Sequence, residues 1–478
     1  MMEAVSCTSN EKTNDTADES YSAPSETEVS FDETEEGEIP DITEHNFDGR
    51  IFNIYSENWY NYQPLAITDI YSDSINGDTM NDAVFNRCAT MSDKLNCGVN
   101  AMISEGFNYV RNSVQSSDNA YDIYLSRGRW YAEVMTSGVV FDIADIDTIN
   151  VDKPWWDADS CATLSIAGRS FALCGDISEN HLLSTFSFFF NKNMTEDYNL
   201  GNLYDIVNEG GWTIDKLFEM SAVVATDLDN NGEWTRDDLY GFTYMQEHAL
   251  GLLNACDVTM IKNDSDGIPQ ITVSDNDGVT KIMKLIDCLS DTRLSYNFHA
   301  RSPQNMIYTD EVGMFINRHS IFSLGAIYHT PELREMDDEF GIIPYPKYDE
   351  AQSKYINPVD GANLSIVTFP KRSDDINEVG IFAEYFAYLG NKLLRPALYD
   401  KLLQGKVVRD DESSAMLDMI FGDLTYDVGY VADYGNIATN LCNMFFSLQP
   451  TVVSNLQRFN KLVQNKIDTT VEAVKSLE

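Results

Sequence analysis

The 478-residue sequence contains no run of about 18 apolar residues, the length a helix needs to cross a bilayer. Basic residues are also few. Thirty-two Lys and Arg stand against 77 Asp and Glu, a formal net charge of -45. With no basic stripe, nucleic acid is excluded as a partner, because one polyanion repels another, and direct adhesion to anionic headgroups is disfavoured. Neutral or cationic ligands suit such a surface better than acidic ones. The six histidines and eight cysteines include no CxxC and no Cys/His cluster, which argues against a structural transition-metal site. GxSxG, HExxH, a P-loop and a helix-opening GxGxxG are all missing. A carboxylate pair for glycoside hydrolysis cannot be singled out among so many acids, so a hydrolase is a minor alternative.

What is present is enough apolar material for a large core: 43% hydrophobic and 12% aromatic residues, with a length typical of about two to four domains. The most specific chemistry is the stretch Asp227-Leu-Asp-Asn-Asn-Gly-Glu-Trp-Thr-Arg-Asp-Asp238, which reads D-x-D-x-N-G-x5-D, an EF-hand-type loop. Ca²⁺ is a hard ion that takes about six to eight oxygens. Asp227, Asp229 and Asn231 place side-chain oxygens at loop positions 1, 3 and 5. Gly232 permits the sharp turn, Glu233 offers its carbonyl, Thr235 can add an oxygen, and Asp238 stands where a bidentate Glu is usual. The competing reading is an acidic turn with Asx-type hydrogen bonds. No second loop pairs with this one, so structural Ca²⁺ is expected rather than a calcium sensor.

Residues 1–46 are Ser, Thr, Glu and Asp rich with almost no large apolar side chains, and read as a disordered acidic tether. Ala4-Val-Ser-Cys7 is like the end of a bacterial lipoprotein signal, with Cys7 as the lipidated residue. The apolar segment that should precede it is missing, so the true start lies upstream or the signal has been cut. Cys161 and Cys174 frame an expected hairpin turning at Ala167-Gly168, which would set them opposite each other. A cross-strand disulfide and two small apolar strand residues both fit that placement.

The periodicity predicts a buried strand over 49–55, a helix over 81–95, a strand over 121–125 and a strongly apolar buried strand over 186–191. Helices are expected over 202–208, over 213–225 with Thr213 as N-cap, and over 279–289 with Ile282, Met283, Leu285 and Ile286 inward. Strands alternating with helices indicate an α/β fold, whose ligands lie at the carboxyl ends of strands. The loops bearing Trp59, Tyr60, Arg127, Arg129 and Trp130 are therefore the first candidates for a site. Trp155 and Trp156 read as packing residues.

Several segments, in order, resemble the extracellular solute-binding proteins of bacterial ABC importers, in the branch that includes carbohydrate binders. They are Pro154-Trp-Trp-Asp157, Gly168 to Ser178, Phe190-Asn-Lys192, Gly211-Trp-Thr-Ile-Asp-Lys-Leu217, the acidic loop before Tyr240-Gly241, and Leu333 to Tyr355. Arg395-Pro-Ala-Leu-Tyr399, Arg409 to Ser413, Met416-Leu-Asp418 and Tyr426-Asp-Val-Gly429 complete the series. The resemblance covers roughly residues 47–450.

It implies two α/β lobes joined by a multi-crossing hinge, placed at 47–175 with 320–365 and at 180–315 with 370–478. It also implies a cleft that closes on a mono- or oligosaccharide, delivery to ABC permease subunits, no enzymatic activity, and a monomer on the bacterial surface held through Cys7. A glycan-sensing surface lipoprotein uncoupled from transport is the alternative. Peptide, polyamine and metal-chelate ligands stay open. Sugar recognition needs aromatic faces and planar hydrogen-bonding groups. The candidates are Trp59, Tyr60, Arg127, Arg129, Trp130, Asp176, Tyr328 and Asp360, with Tyr328 following the bare Gly325-Ala326 backbone.

Overall fold

The structure, a computed structural model, describes residues 39–40, 45–57, 67–104, 106–298, 312–334, 336–403, 411–448 and 451–477. Two sheets organise it. Strand β1 (Ile51–Glu57) runs parallel to β2 (Gly98–Ser104) and to β3 (Ile123–Arg127), with Tyr55 beside Met102 on one side and Tyr124 on the other. The β1–β2 connection is helix α1 (Thr79–Leu95). Asp78 caps it by accepting from the Met80 and Asn81 amides, and Asn96 ends it in the left-handed region at φ 48°. Helix α2 (Asn108–Ser116) leads back to β3.

The second sheet is built on β4 (Phe186–Asn191), whose sequence FSFFFN is buried at all six positions. Continuous rather than alternating apolarity marks a strand covered on both faces. Helix α3 (Ile214–Val224) starts at Thr213, whose hydroxyl accepts from the Lys216 amide, and leads through the acidic loop into β5 (Tyr240–Tyr244). Helix α4 (Asn276–Ser290), capped by Asp275, buries Ile282, Leu285, Ile286 and Leu289. Met283, expected on that face, points out with 48% of its surface exposed.

Strands β6 (Ser295–Asn297), β7 (Ser320–Ala326) and β8 (Phe340–Ile343) complete a sheet of order β6-β5-β7-β4-β8. This corrects the expected placement of 320–365. β7 pairs with β5 and β4, and β8 pairs with β4, so both belong with the second sheet. The chain joins the first sheet only at β9 (Ser365–Thr368), antiparallel to β3.

The segment after β9 also departs from expectation. Helix α5 (Ile376–Leu389) packs on the first sheet and on α1, and helix α6 (Arg395–Leu402) packs on α1. Phe382 stacks on Phe52 at 4.0 Å, and the Arg87 guanidinium lies 3.7 Å over the Phe386 ring. Glu384 of α5 accepts both indole N–H groups of Trp155 and Trp156, at 3.0 and 2.7 Å, which makes that pair a buried packing unit.

Two crossings join the sheets side by side. Leu173 bridges to Val367 in β9, and Thr185, at the entry to β4, bridges to Val359 on the return path. The region before the first crossing corrects the cysteine hairpin. A two-residue turn does form at Ala167-Gly168 (φ +52° and +76°), with Ile166 bridged to Arg169. Asp157, however, accepts from the Ser160 amide and starts a helix over Ala158–Thr163. Cys161 therefore sits on a helix, while Cys174 lies on a strand opposite Asp157. Both thiols are free, and that of Cys161 donates to Ser170 Oγ at 3.2 Å.

Candidate ligand site

The carboxyl ends of β1 and β3 lie side by side and bring four groups together. Glu57, the last residue of β1, is 4% exposed. Its carboxylate accepts from the Tyr124 hydroxyl and from the Trp130 indole, with the Arg127 guanidinium close by. Burial pushes the Glu57 carboxyl up, and these partners pull it back down. Trp130 stays 38% exposed, so part of its ring is open to a ligand.

From Arg127 a polar chain runs across the hinge. Arg127 Nη2 donates to Asn363 Oδ1 at 3.2 Å, and Asn363 Nδ2 donates to Asp360 Oδ2 at 2.7 Å. The Tyr430 hydroxyl donates to the other Asp360 oxygen at 3.0 Å. Ser184 Oγ lies 3.3 Å from both the Asn363 carbonyl and Asn180 Oδ1, and the Ser365 amide donates to that same amide oxygen at 2.6 Å. Gly128, which follows Arg127, packs directly on the Gly361 carbonyl, where a β-carbon would come within 2.0 Å.

Asn180 also lines a cavity of about 260 Å³. Its walls include the N-terminus of α1 (Asp78 and Asn81), Asp69, the end of α6 and, from beyond β7, Tyr328 and Arg334. Arg334 donates through Nη2 to the Lys401 carbonyl, whereas its Nε has no hydrogen-bond partner. Lys401 pairs with Asp78 at 2.9 Å, so the charges on the wall balance locally. The cavity thus combines apolar surface, one aromatic ring and several converging hydrogen-bonding groups, the composition of a small-molecule site.

The expected site residues divide accordingly. Arg127 and Trp130 come together at Glu57, Asp360 joins them through Asn363, and Tyr328 lines the cavity. Arg129 is exposed beside them. Trp59 and Tyr60 lie outside the described residues. Asp176 is fully buried and held by Asn391 (2.8 Å) and Arg395 (2.8 Å), an internal ion pair rather than a cavity wall. Glu57, Asp69, Asn180 and Arg334 were missed. Glu57 lies two residues past the strand predicted over 49–55, with no local signal to set it apart from the other acids.

The acidic loop stands apart from this site. Asp227, Asp229 and Asp238 each bring a carboxylate oxygen within 4.8 Å of the others. Asn230 and Gly232 adopt left-handed φ of 55° and 84°, which folds the loop inward. Asp227 accepts from the Gly232 amide at 2.8 Å, while its second oxygen is buried without a partner. Asn231 donates to Asp229 and accepts from the Glu233 amide. Asp238, 2% exposed, accepts from the Leu228 and Thr235 amides. The donor set is hard oxygen only and fits Ca²⁺.

No protein-family model matches the chain, and no curated protein is similar to it in sequence. Solved structures do match. The GacH receptor of Streptomyces glaucescens, described unliganded and with acarbose, superposes with a TM-score of 0.52 at 11% identity, covering 90% of this chain and 100% of that one. An ABC transporter solute-binding protein of Thermotoga lettingae bound with α-D-tagatose gives 0.53 at 13%, covering 89% and 100%. The galacto-N-biose-/lacto-N-biose I-binding protein of the ABC transporter from Bifidobacterium longum gives 0.53 at 14%, covering 90% and 98%.

The fold is that of the two-lobe solute-binding proteins. The paired crossings at Thr185 and Val359 join the two sheets. The site at Glu57 and the cavity at Tyr328 lie beside those crossings. Among the described residues no helix is long and apolar enough to cross a membrane.

Proposed function

We propose that this chain is an extracellular solute-binding protein that closes on a neutral saccharide and delivers it to the permease of an ABC importer. The carrying observation is the cluster of Glu57, Arg127 and Trp130 at the strand ends, linked by hydrogen bonds to the cavity holding Tyr328. A buried carboxylate and guanidinium hold hydroxyls in planar geometry, and exposed rings stack on the C–H face of a pyranose. The local charge balance of the cavity favours an uncharged ligand. Acarbose, tagatose and lacto-N-biose, named with the similar structures, are all of this class. One lobe carries β1–β3, β9, α1, α5 and α6, the other β4–β8. The protein works as a monomer without turnover, anchored at the bacterial surface through a lipid on Cys7.

A thermal-shift screen of the full chain against mono- and oligosaccharides, with amino acids, peptides and polyamines as controls, tests this reading. A saccharide at about 100 times its dissociation constant adds about 2.7 kcal/mol of stability, and no product should form. A hit confined to the controls, or turnover, rejects it.

The acidic loop is proposed to hold one structural Ca²⁺ through Asp227, Asp229, Asn231, the Glu233 carbonyl and Asp238. The ion would offset the repulsion of three gathered carboxylates and pin α3 to β5. EDTA is expected to lower Tm, added Ca²⁺ to restore it, and Asp227→Ala to abolish the response. A Tm indifferent to EDTA leaves the acidic turn as the correct description.

A further inference from the structure

Below the cavity, the first crossing carries an unusual carboxyl group. Glu179 is completely buried, and neither of its oxygens has a hydrogen-bond partner. Its neighbours on both sides, Ser178 and Asn180, line the cavity. Charged groups from three surrounding segments face it. Asp69, from the loop before α1, accepts from Ser178 Oγ at 3.0 Å and from the Glu179 amide at 2.7 Å. Arg87 of α1 donates to the carbonyls of Asp69 and Ile177. Asp176, on the crossing itself, is held by Asn391 and by Arg395 of α6. Tyr399 of α6 also faces the group. His181 is pushed down to about 3, mainly by burial and then by Arg395, and is therefore neutral.

Three carboxyl groups thus share two guanidinium groups, with Glu179 and Asp176 completely buried. An uncompensated buried charge is far more costly than a proton taken up. Hydrogen-bond donors decide which group carries that proton. Asp69 has two and Asp176 has two, each charge-assisted or short, whereas Glu179 has none. With Glu179 neutral, two carboxylates balance two guanidinium groups. Burial, and then the Asp176 charge, push the Glu179 carboxyl in the same direction, well above its ordinary value of 4.5.

We propose that Glu179 is held as the neutral acid and acts as a proton-operated latch on the first crossing. Loss of the proton places a third negative charge beside Asp69 and Asp176. The Ser178–Glu179 turn is then driven off Asp69, and the cavity wall loosens with it. The folded-state affinity for the proton exceeds that of the unfolded chain. The stabilisation is therefore complete below about pH 4.5, the unfolded value, and is lost as pH rises through the folded value.

Infrared spectra of the full chain at pH 7 test the first half. The carbonyl stretch of a protonated carboxylic acid is expected in the wild type and missing in Glu179→Gln. Amide hydrogen exchange over 176–185, corrected for its intrinsic pH dependence, tests the second. Exchange should accelerate in the wild type as pH rises through the interval in which that band is lost and stay flat in Glu179→Gln, and the Tm difference between the two should widen with pH. Should the variant fail to fold, the wild type alone suffices, since its carbonyl band and its exchange protection must vanish over the same pH interval. A spectrum without that band, or a band whose loss leaves exchange unchanged, overturns the latch. Neither readout needs a saccharide, so a failed sugar screen leaves this test intact.

Discussion

Glu57→Gln is expected to weaken saccharide binding by about 10- to 100-fold while leaving the thermal midpoint of the free protein within a few degrees. Hydrogen bonds to an ionised group contribute about 1.5–3 kcal/mol, roughly twice a neutral bond, and 1.4 kcal/mol corresponds to one decade of affinity. Gln keeps the volume and still accepts from Tyr124, so the strand end is preserved. What it loses is the negative charge that Arg127 faces and that a ligand hydroxyl would meet in the closed cleft. Trp130→Ala should cost about 0.5–1.5 kcal/mol through lost stacking, and Tyr328→Ala a similar amount from the other lobe. Isothermal titration with the saccharide found in the thermal screen measures all three. Unchanged affinity for Glu57→Gln in a folded protein would remove the strand-end cluster from the site and leave the cavity alone.

That Glu57 has to be found in the structure illustrates what a single sequence conveys. Local rules are readable. The strongly apolar run 186–191 is a strand covered on both faces, and Thr213 caps the helix it precedes. Turn chemistry at Ala167-Gly168 is equally local, and it forms as expected. It did not carry the flanking residues into strands, because Asp157 offered a helix start that outweighed strand pairing for 158–163.

Non-local choices are not readable in this way. Whether 320–326 pairs with β5 and β4 or with β3 depends on sheet order, and all the candidate strands are similarly apolar. Asp176 was expected in the cleft from its place beside the predicted hinge, and it is instead held in an internal ion pair. Its partner Arg395 is 219 positions away. Glu57 is hidden as one acid among 77 Asp and Glu. Arg127 and Trp130 were singled out by a fold-level rule, ligands at strand ends, and Tyr328 by the bare Gly325-Ala326 backbone before it.

Gly128→Ala should be strongly damaging, costing about 3 kcal/mol, the upper end of what overpacking usually costs. Gly128 follows β3, and its amide donates to the Leu364 carbonyl at 2.8 Å. A β-carbon there would stand 2.0 Å from the Gly361 carbonyl oxygen and 3.5 Å from Val431. The obstruction is backbone, so no rotamer change relieves it. Gly361 has no room to retreat either, because its own α-carbon is packed against Tyr430 and the Val431 amide, where an added β-carbon would come within 3.0 Å. The return crossing must therefore move by about 1 Å, in an interior packed too densely to absorb it. That shift would also stretch the Arg127–Asn363 contact of 3.2 Å, so stability and ligand affinity should fall together. Urea unfolding with and without saccharide separates the two effects. A midpoint and an affinity both equal to wild type would mean that the crossing yields freely at this point, and that Gly128 does not set the spacing of the hinge.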